Sequence, residues 1–383
     1  MTALESENRT NTETRWSWPG ELSAPAGTST LRSAKLWALG QARRAGVVRA
    51  VRDSHWRGRR LLILAYHGLS LRDEHEWSPE LYLPVEALRA RFEIIRDQGY
   101  QVLPLSEGVQ RLREGSLPPR AIALTFDDGM CDFLDLGVPL LREFGYPATV
   151  YVTTYYAEKQ VPVFRVACRY FLWRGRDRVI SGKDLTADGG TLKLTTLDDR
   201  DAVLQAIEDR LTSMDGGIDE ESATLRRLAD RVGVDYDEFL RDRLLRVMSP
   251  DEIRSLPPEL IDVQLHTHRH RVPLRKESFV REIEDNRRAL ALWRPGSHFD
   301  AFCYPSGVTD ARFLPWLREQ EIQSGVTCKV GLATDRSDPL LLPRFVDTSL
   351  RTRVEFESWL SGFGSLLPRL PHAGRYKPGP FSD

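Results

Sequence analysis

Three of the eight histidines fall within five residues, His266-Thr267-His268-Arg269-His270. Neutral imidazole is a common ligand for zinc and related ions, so this run is a candidate metal site. Read blandly, it is a polar loop that happens to be rich in histidine. A second cluster, Thr125-Phe126-Asp127-Asp128-Gly129, ends in ordinary turn chemistry. Two adjacent carboxylates can nevertheless divide labour, because burial and neighbours separate their proton affinities. One can ligate a metal while the other takes a proton from water. A third candidate is Tyr66-His67-Gly68, although a lone histidine beside a tyrosine is more often a packed core residue than a catalyst. The fourth is Phe302-Cys303-Tyr304-Pro305-Ser306-Gly307, a turn able to aim backbone N–H groups at an anion.

Each cluster lies at the end of a short apolar run that reads as a buried strand. Such runs cover 61–66, 121–126, 148–153, 261–265, 299–304, 322–327 and 340–346. Helical spacing alternates with them at 85–98, 132–144, 279–293 and 311–320. Ser249-Pro250-Asp251-Glu252 carries a capping box, with proline at the first helical position, just before the 261–265 run. Strand–helix alternation predicts a parallel sheet covered by helices, either an open sheet or a barrel. In such folds ligands bind at the C-terminal strand ends, where all four clusters fall.

The rhythm breaks at 159–248, which reads as mostly helical (164–173, 199–212, 220–232 and 236–247) and as a cap inserted beside the site. The expected organisation is therefore a disordered tail over 1–30, a basic amphipathic helix over 31–60, a first barrel part over 61–158, the insertion, a second barrel part over 249–350, and a C-terminal helix with a Pro/Gly-rich tail over 351–383. Residues 32–60 hold many arginines against the single acid Asp53, a composition suited to peripheral contact with an anionic membrane surface; the bland reading is a solvated helix packed on the main domain.

At 383 residues the chain has room for two to three domains, or one large domain with an insertion. With 41% hydrophobic and 28% charged residues it is neither a disordered chain nor an integral membrane protein. A net charge of −1 argues against a chain-wide nucleic-acid partner. Cys131, Cys168, Cys303 and Cys328 are too far apart in sequence for a Cys-x-x-Cys zinc site and suggest no disulfide framework. Four free thiols fit a reducing compartment, and the N-terminal residues lack the apolar core of a signal peptide. The expected location is cytoplasmic, with contact at the inner face of the membrane as the variant.

Taken together, the four clusters resemble the polysaccharide deacetylase family, the NodB homology domain of carbohydrate esterase family four. Its T-F-D-D-G motif is complete at Thr125–Gly129, its H-[ST]-x-x-H motif at His266–His270, and its aromatic–x–x–Pro–x–Gly turn at Phe302–Gly307. The resemblance covers roughly residues 60–350 and implies a distorted (β/α) barrel. It implies a divalent metal, zinc first with cobalt or nickel as alternatives, on Asp128, His266 and His270, and Asp127 as general base. Oxyanion and substrate contacts would come from Tyr304 and Ser306, the latter through its backbone N–H. Many members carry an arginine in the third motif that braces the catalytic aspartate; Cys303 stands in that place here, and Arg344 is the expected substitute. The late general-acid histidine of the common pattern is missing, His372 in the tail being the one candidate. Members resembling poly-N-acetylglucosamine deacetylases supply that acid from an early Tyr-His, which Tyr66-His67 matches.

The implied activity is metal-dependent removal of N-acetyl groups from acetamido sugars of a polysaccharide or glycoconjugate. O-acetyl ester or non-sugar amide hydrolysis on the same residues, and an inactive carbohydrate-binding protein, are the rivals. Trp77, Tyr82, Trp173 and Trp293 are candidate faces for sugar rings, although large aromatics usually serve cores. The sequence says nothing of oligomeric state.

Overall fold

The computed structural model describes residues 16–19, 30–214 and 217–367. Most of the 1–30 tail, and the C-terminal tail with His372, lie outside the described residues. Seven parallel strands close into a barrel: β1 (Leu62–Tyr66), β2 (Ala121–Phe126), β3 (Ala148–Val152), β4 (Ile261–Leu265), β5 (Ala301–Cys303), β6 (Ser324–Val330) and β7 (Leu342–Val346). Pairing runs β1-β7-β6-β5-β4-β3-β2 and returns to β1, with Gln101–Val102 added outside β2. Helices pack around the barrel, as expected of alternating strands and helices.

The period-two alternation along each strand divides the apolar side chains into two cores. Leu62, Leu64, Val150, Val152 and Phe302 point outward to the helices. Ile63, Ala123, Tyr151, Ala301, Cys303, Val326 and Leu342 fill the barrel, together with Leu105, Val109 and Leu112. Those last three lie on the helix Leu105–Glu114, whose apolar stripe closes the barrel floor; the sequence reading did not pick out this helix. Side chains in the interior are therefore packed from below, and the four polar clusters lie at the opposite, C-terminal rim.

The insertion is helical at Phe164–Arg174, Leu197–Ser213, Ile218–Val232 and Tyr236–Arg241. Two details differ from expectation. An antiparallel pair, Val179–Ser181 with Thr191–Lys193, interrupts it, and its last helix stops at Arg241 rather than running to 247. The freed segment forms an antiparallel bridge from Val247 to Met130, which clamps the loop after Asp128. The helix expected over 31–60 is three helices, Thr30–Arg44, Val47–Arg52 and His55–Gly58, broken at Gly46, whose φ of 77° the helix does not accept. Among the described residues no helix is long and apolar enough to cross a membrane.

Candidate active site

Register brings the Tyr66-His67 and Asp127-Asp128 clusters together. Tyr66 pairs with Phe126, so the residues that follow them, His67 and Asp127, emerge side by side. The Asp127 N–H donates to the Tyr66 carbonyl at 2.9 Å, and His67 Nε2 lies 3.7 Å from Asp127 Oδ2. The next residue, Asp128, takes a left-handed conformation, φ 72°, which turns its side chain away from that of Asp127. Gly129 follows at φ 74°, and a Cβ there would meet Val152 at 3.0 Å, so the turn has no room for a side chain. Adjacent carboxylates thus face different neighbours, as a division of labour requires.

Asp127 is buried and faces Arg344, which is completely buried on β7. The two form a fork: Nη1 to Oδ1 and Nη2 to Oδ2, each at 2.7 Å. Arg344 is itself held by Nε to the Thr327 carbonyl at 3.0 Å, Nη1 to Thr125 Oγ1 at 3.1 Å and Nη2 to Cys303 Sγ at 3.3 Å. Burial pushes the Asp127 carboxyl up, but the Arg344 guanidinium outweighs it and holds the group below the usual carboxylate range. Burial pushes the Cys303 thiol up to about 11, so at neutral pH it is an uncharged partner for the guanidinium.

His266, Asp128 and His270 converge on the other side of the rim. His266 Nε2 is 3.1 Å and His270 Nε2 3.3 Å from Asp128 Oδ1. Their ligand atoms all lie within 4.8 Å of one another. His266 is anchored from both ends. Its N–H donates to Asn286 Oδ1 at 2.9 Å, and its Nδ1 lies 2.9 Å from the Cys303 carbonyl, which can only accept. Nδ1 therefore carries a proton, and in the neutral ring Nε2 presents a lone pair toward Asp128. A lone pair and a carboxylate at 3.1 Å repel unless a proton or cation lies between them. Donor atoms about 3.3 Å apart are what tetrahedral zinc with bonds of about 2.0–2.1 Å produces, so the set fits a divalent ion. Thr267 and His270 also adopt left-handed φ of 60° and 56°, local strain concentrated where these side chains must be aimed.

The remaining candidates separate. Ser306 stands at φ 54° in the turn after β5; that turn is closed by Gly307 N–H to the Tyr304 carbonyl and Val308 N–H to the Pro305 carbonyl, leaving the Ser306 N–H out of both bonds. Tyr304 is buried, its hydroxyl donating to the Leu340 carbonyl at 2.9 Å and its N–H to the Val326 carbonyl at 3.3 Å. Both its donors are engaged in barrel packing, so it holds the turn rather than facing a ligand. His268 is turned away, its Nδ1 2.8 Å from Thr154 Oγ1. Trp77 and Tyr82 pack together at 6.0 Å, Trp77 meets Tyr170 at 5.4 Å, Tyr170 stacks on Trp173, and Trp293 is buried on the helix Lys276–Trp293. These aromatics serve cores.

Asn286 was missed by sequence reasoning. It is completely buried, and its Nδ2 donates to the Val152 carbonyl and Thr154 Oγ1, tying β3 to the His266 backbone. The signal was present: Phe279, Ile283, Asn286, Leu290 and Trp293 form one helical stripe in which a lone amide stands among apolar residues.

A parallel barrel with a carboxylate pair and a two-histidine, one-aspartate cluster on its C-terminal rim is the arrangement that the resemblance of the motifs to polysaccharide deacetylases implied. The family profile named polysaccharide deacetylase matches residues 114–325, and the chain belongs to that family. The match includes both aspartates, the histidine run and the Ser306 turn, and excludes His67 and Arg344. Among curated relatives, the poly-β-1,6-N-acetyl-D-glucosamine N-deacetylase of Escherichia coli is 31% identical over 99 residues in both strain K12 and O157:H7, covering 25% of this chain. The aligned stretch spans only 14% of those relatives' length. Among solved structures, the Streptococcus pyogenes deacetylase PplD in complex with acetate superposes with a TM-score of 0.51 at 18% identity, over 79% of this chain and 97% of PplD, a likeness of fold.

Proposed function

We propose that the protein is a metal-dependent deacetylase that hydrolyses the N-acetyl group of an acetamido sugar in a polysaccharide or glycoconjugate. The observation that carries this reading is the placement of a buried, arginine-forked carboxylate beside a three-ligand cluster of different chemistry. Asp128, His266 and His270 would hold the ion, zinc first among candidates, with cobalt and nickel as alternatives. The bound ion would supply Lewis acidity, polarising the acetyl carbonyl and lowering the proton affinity of the attacking water enough for a weak base to deprotonate it.

Asp127 is that base. Arg344 keeps its carboxylate ionised and fixed, and each oxygen retains a lone pair beyond its single guanidinium bond. Keeping Asp127 out of the ligand set preserves its proton-accepting role. The Ser306 N–H is the donor for the tetrahedral oxyanion, its direction set by the φ of 54°. His67 delivers a proton to the departing amine, since its Nε2 shares the space in front of Asp127 Oδ2 and its side chain is 17% exposed, open to the rim.

The test is an acetate-release screen over N- and O-acetylated glycans with added zinc, cobalt or nickel, with the exposed product groups identified. Free amine appearing with wild type and not with Asp127→Asn supports the reading. Free hydroxyl without amine makes the protein an esterase, and undiminished turnover by Asp127→Asn removes the base.

A further inference from the structure

The helix Thr30–Arg44 is amphipathic in the unusual sense. Its inward side carries Arg32, Leu39 and Arg43. Leu39 is buried, Arg43 Nε meets Glu357 Oε2 at 2.9 Å, and Arg32 Nη2 lies 3.8 Å from Glu355 Oε2 and 3.1 Å from the Leu350 carbonyl. Glu355 and Glu357 belong to the helix Arg353–Leu360, so the two helices are joined largely by charge. This accounts for the ragged apolar stripe of the sequence.

The opposite face is where the large apolar group stands. Ser33, Ala34, Trp37, Ala38 and Arg44 face solvent, and Trp37 is 69% exposed. Directly beyond Gly46, Val47 is 41% exposed, with Arg49 exposed beside it. Residues 30–52 contain no acidic side chain at all. Arg32 and Arg43 are committed inward and Arg52 to Asp53. The exposed residues of these two consecutive helices are thus a tryptophan and a valine, small residues, and Arg44 and Arg49, which no carboxylate within residues 30–52 opposes.

We propose that this face rests on an anionic lipid bilayer, Trp37 at the level of the headgroups and Arg44 and Arg49 against lipid phosphates. Charge complementarity selects this occupant: residues 30–52 supply no carboxylate to oppose Arg44 and Arg49, and an indole accompanied by arginines suits the polar–apolar boundary of a membrane. Contact through Trp37 and two arginines is reversible, so the protein partitions to the surface rather than inserting. The docked inner face holds the helix against the barrel, and the barrel goes to the membrane with it.

Co-sedimentation of the full chain with phosphatidylcholine vesicles, with and without phosphatidylglycerol, tests this without any substrate, so the result is independent of the deacetylase reading. Wild type binds the anionic vesicles, more weakly as salt is added. At about 1 kcal/mol per basic residue, R44Q/R49Q lowers the partition coefficient about thirtyfold, and Trp37→Ser lowers it as well. Both variants keep wild-type melting temperature and acetate release. Equal binding to both vesicle types, or wild-type binding by the variants, overturns the proposal. So does a Trp37 fluorescence already shielded from acrylamide in free protein, which would put another part of the chain or a second copy on this face.

Discussion

Arg344→Lys retains a positive charge on β7 and removes the guanidinium fork. Wild-type Arg344 makes two 2.7 Å bonds to Asp127 and further contacts to Thr327, Thr125 and Cys303. A lysine can satisfy one Asp127 oxygen at most while its ammonium remains in a completely buried site. Losing one charged hydrogen bond costs about 1.5–3 kcal/mol, and the strongly hydrated ammonium adds to this. At about 2–4 °C per kcal/mol the melting temperature should fall by roughly 5 °C or more. With burial less opposed, the Asp127 carboxyl moves up. Its ionised form then forms at higher pH, so the acid limb of kcat/KM shifts to higher pH. Displacement of the base should also lower kcat/KM at its optimum by about tenfold or more. The assays are a thermal melt and a pH series of acetate release. Wild-type melting with an unmoved acid limb would refute the bracing role assigned to Arg344.

Three further outcomes follow from single residues. Burial, helped by Asp300, pushes the Asp262 carboxyl from 3.8 up to about 6, so the folded state holds that proton more tightly than the unfolded one. Stability is then lost as pH rises from about 4 to about 6, by at most about 3 kcal/mol; denaturant melts should show this slope in wild type and its absence in Asp262→Asn, and equal slopes would contradict it. Asn286→Ala leaves the His266 N–H and the Val152 carbonyl without their partner, at about 1–3 kcal/mol each, and should weaken metal affinity as well as lower the melting temperature; unchanged affinity would make Asn286 a core residue only. His67→Gln should slow amide turnover while the metal is retained, and loss of metal together with activity would place His67 among ligands or fold residues.

The barrel was legible because its strands are short apolar runs followed by polar clusters, and period two fixes which side chains face inward. The local geometry of Asp127 and Asp128 follows from the Asp-Asp-Gly turn, since one left-handed residue suffices to part the two carboxylates. What could not be read were relations set by three-dimensional register. The sequence put Arg344 on a strand and offered it as the brace, but that this strand, β7, pairs with β1 beside Asp127 is a matter of closure invisible along the chain. Tyr304 was misplaced as a ligand-facing group for the same reason: its donors are taken by Leu340 and Val326, residues distant in sequence. Nor could composition show that two of the nine basic residues in 31–60, Arg32 and Arg43, look inward to Glu355 and Glu357 from the opposite end of the chain.

The account depends most on Asp128, His266 and His270 sharing one ion. Protein stripped with chelator, then titrated with zinc and followed by calorimetry, addresses this directly. One ion per chain should bind wild type and Asp127→Asn, and none should bind this site in Asp128→Ala or His266→Ala. Wild-type stoichiometry and affinity in either ligand variant would contradict it.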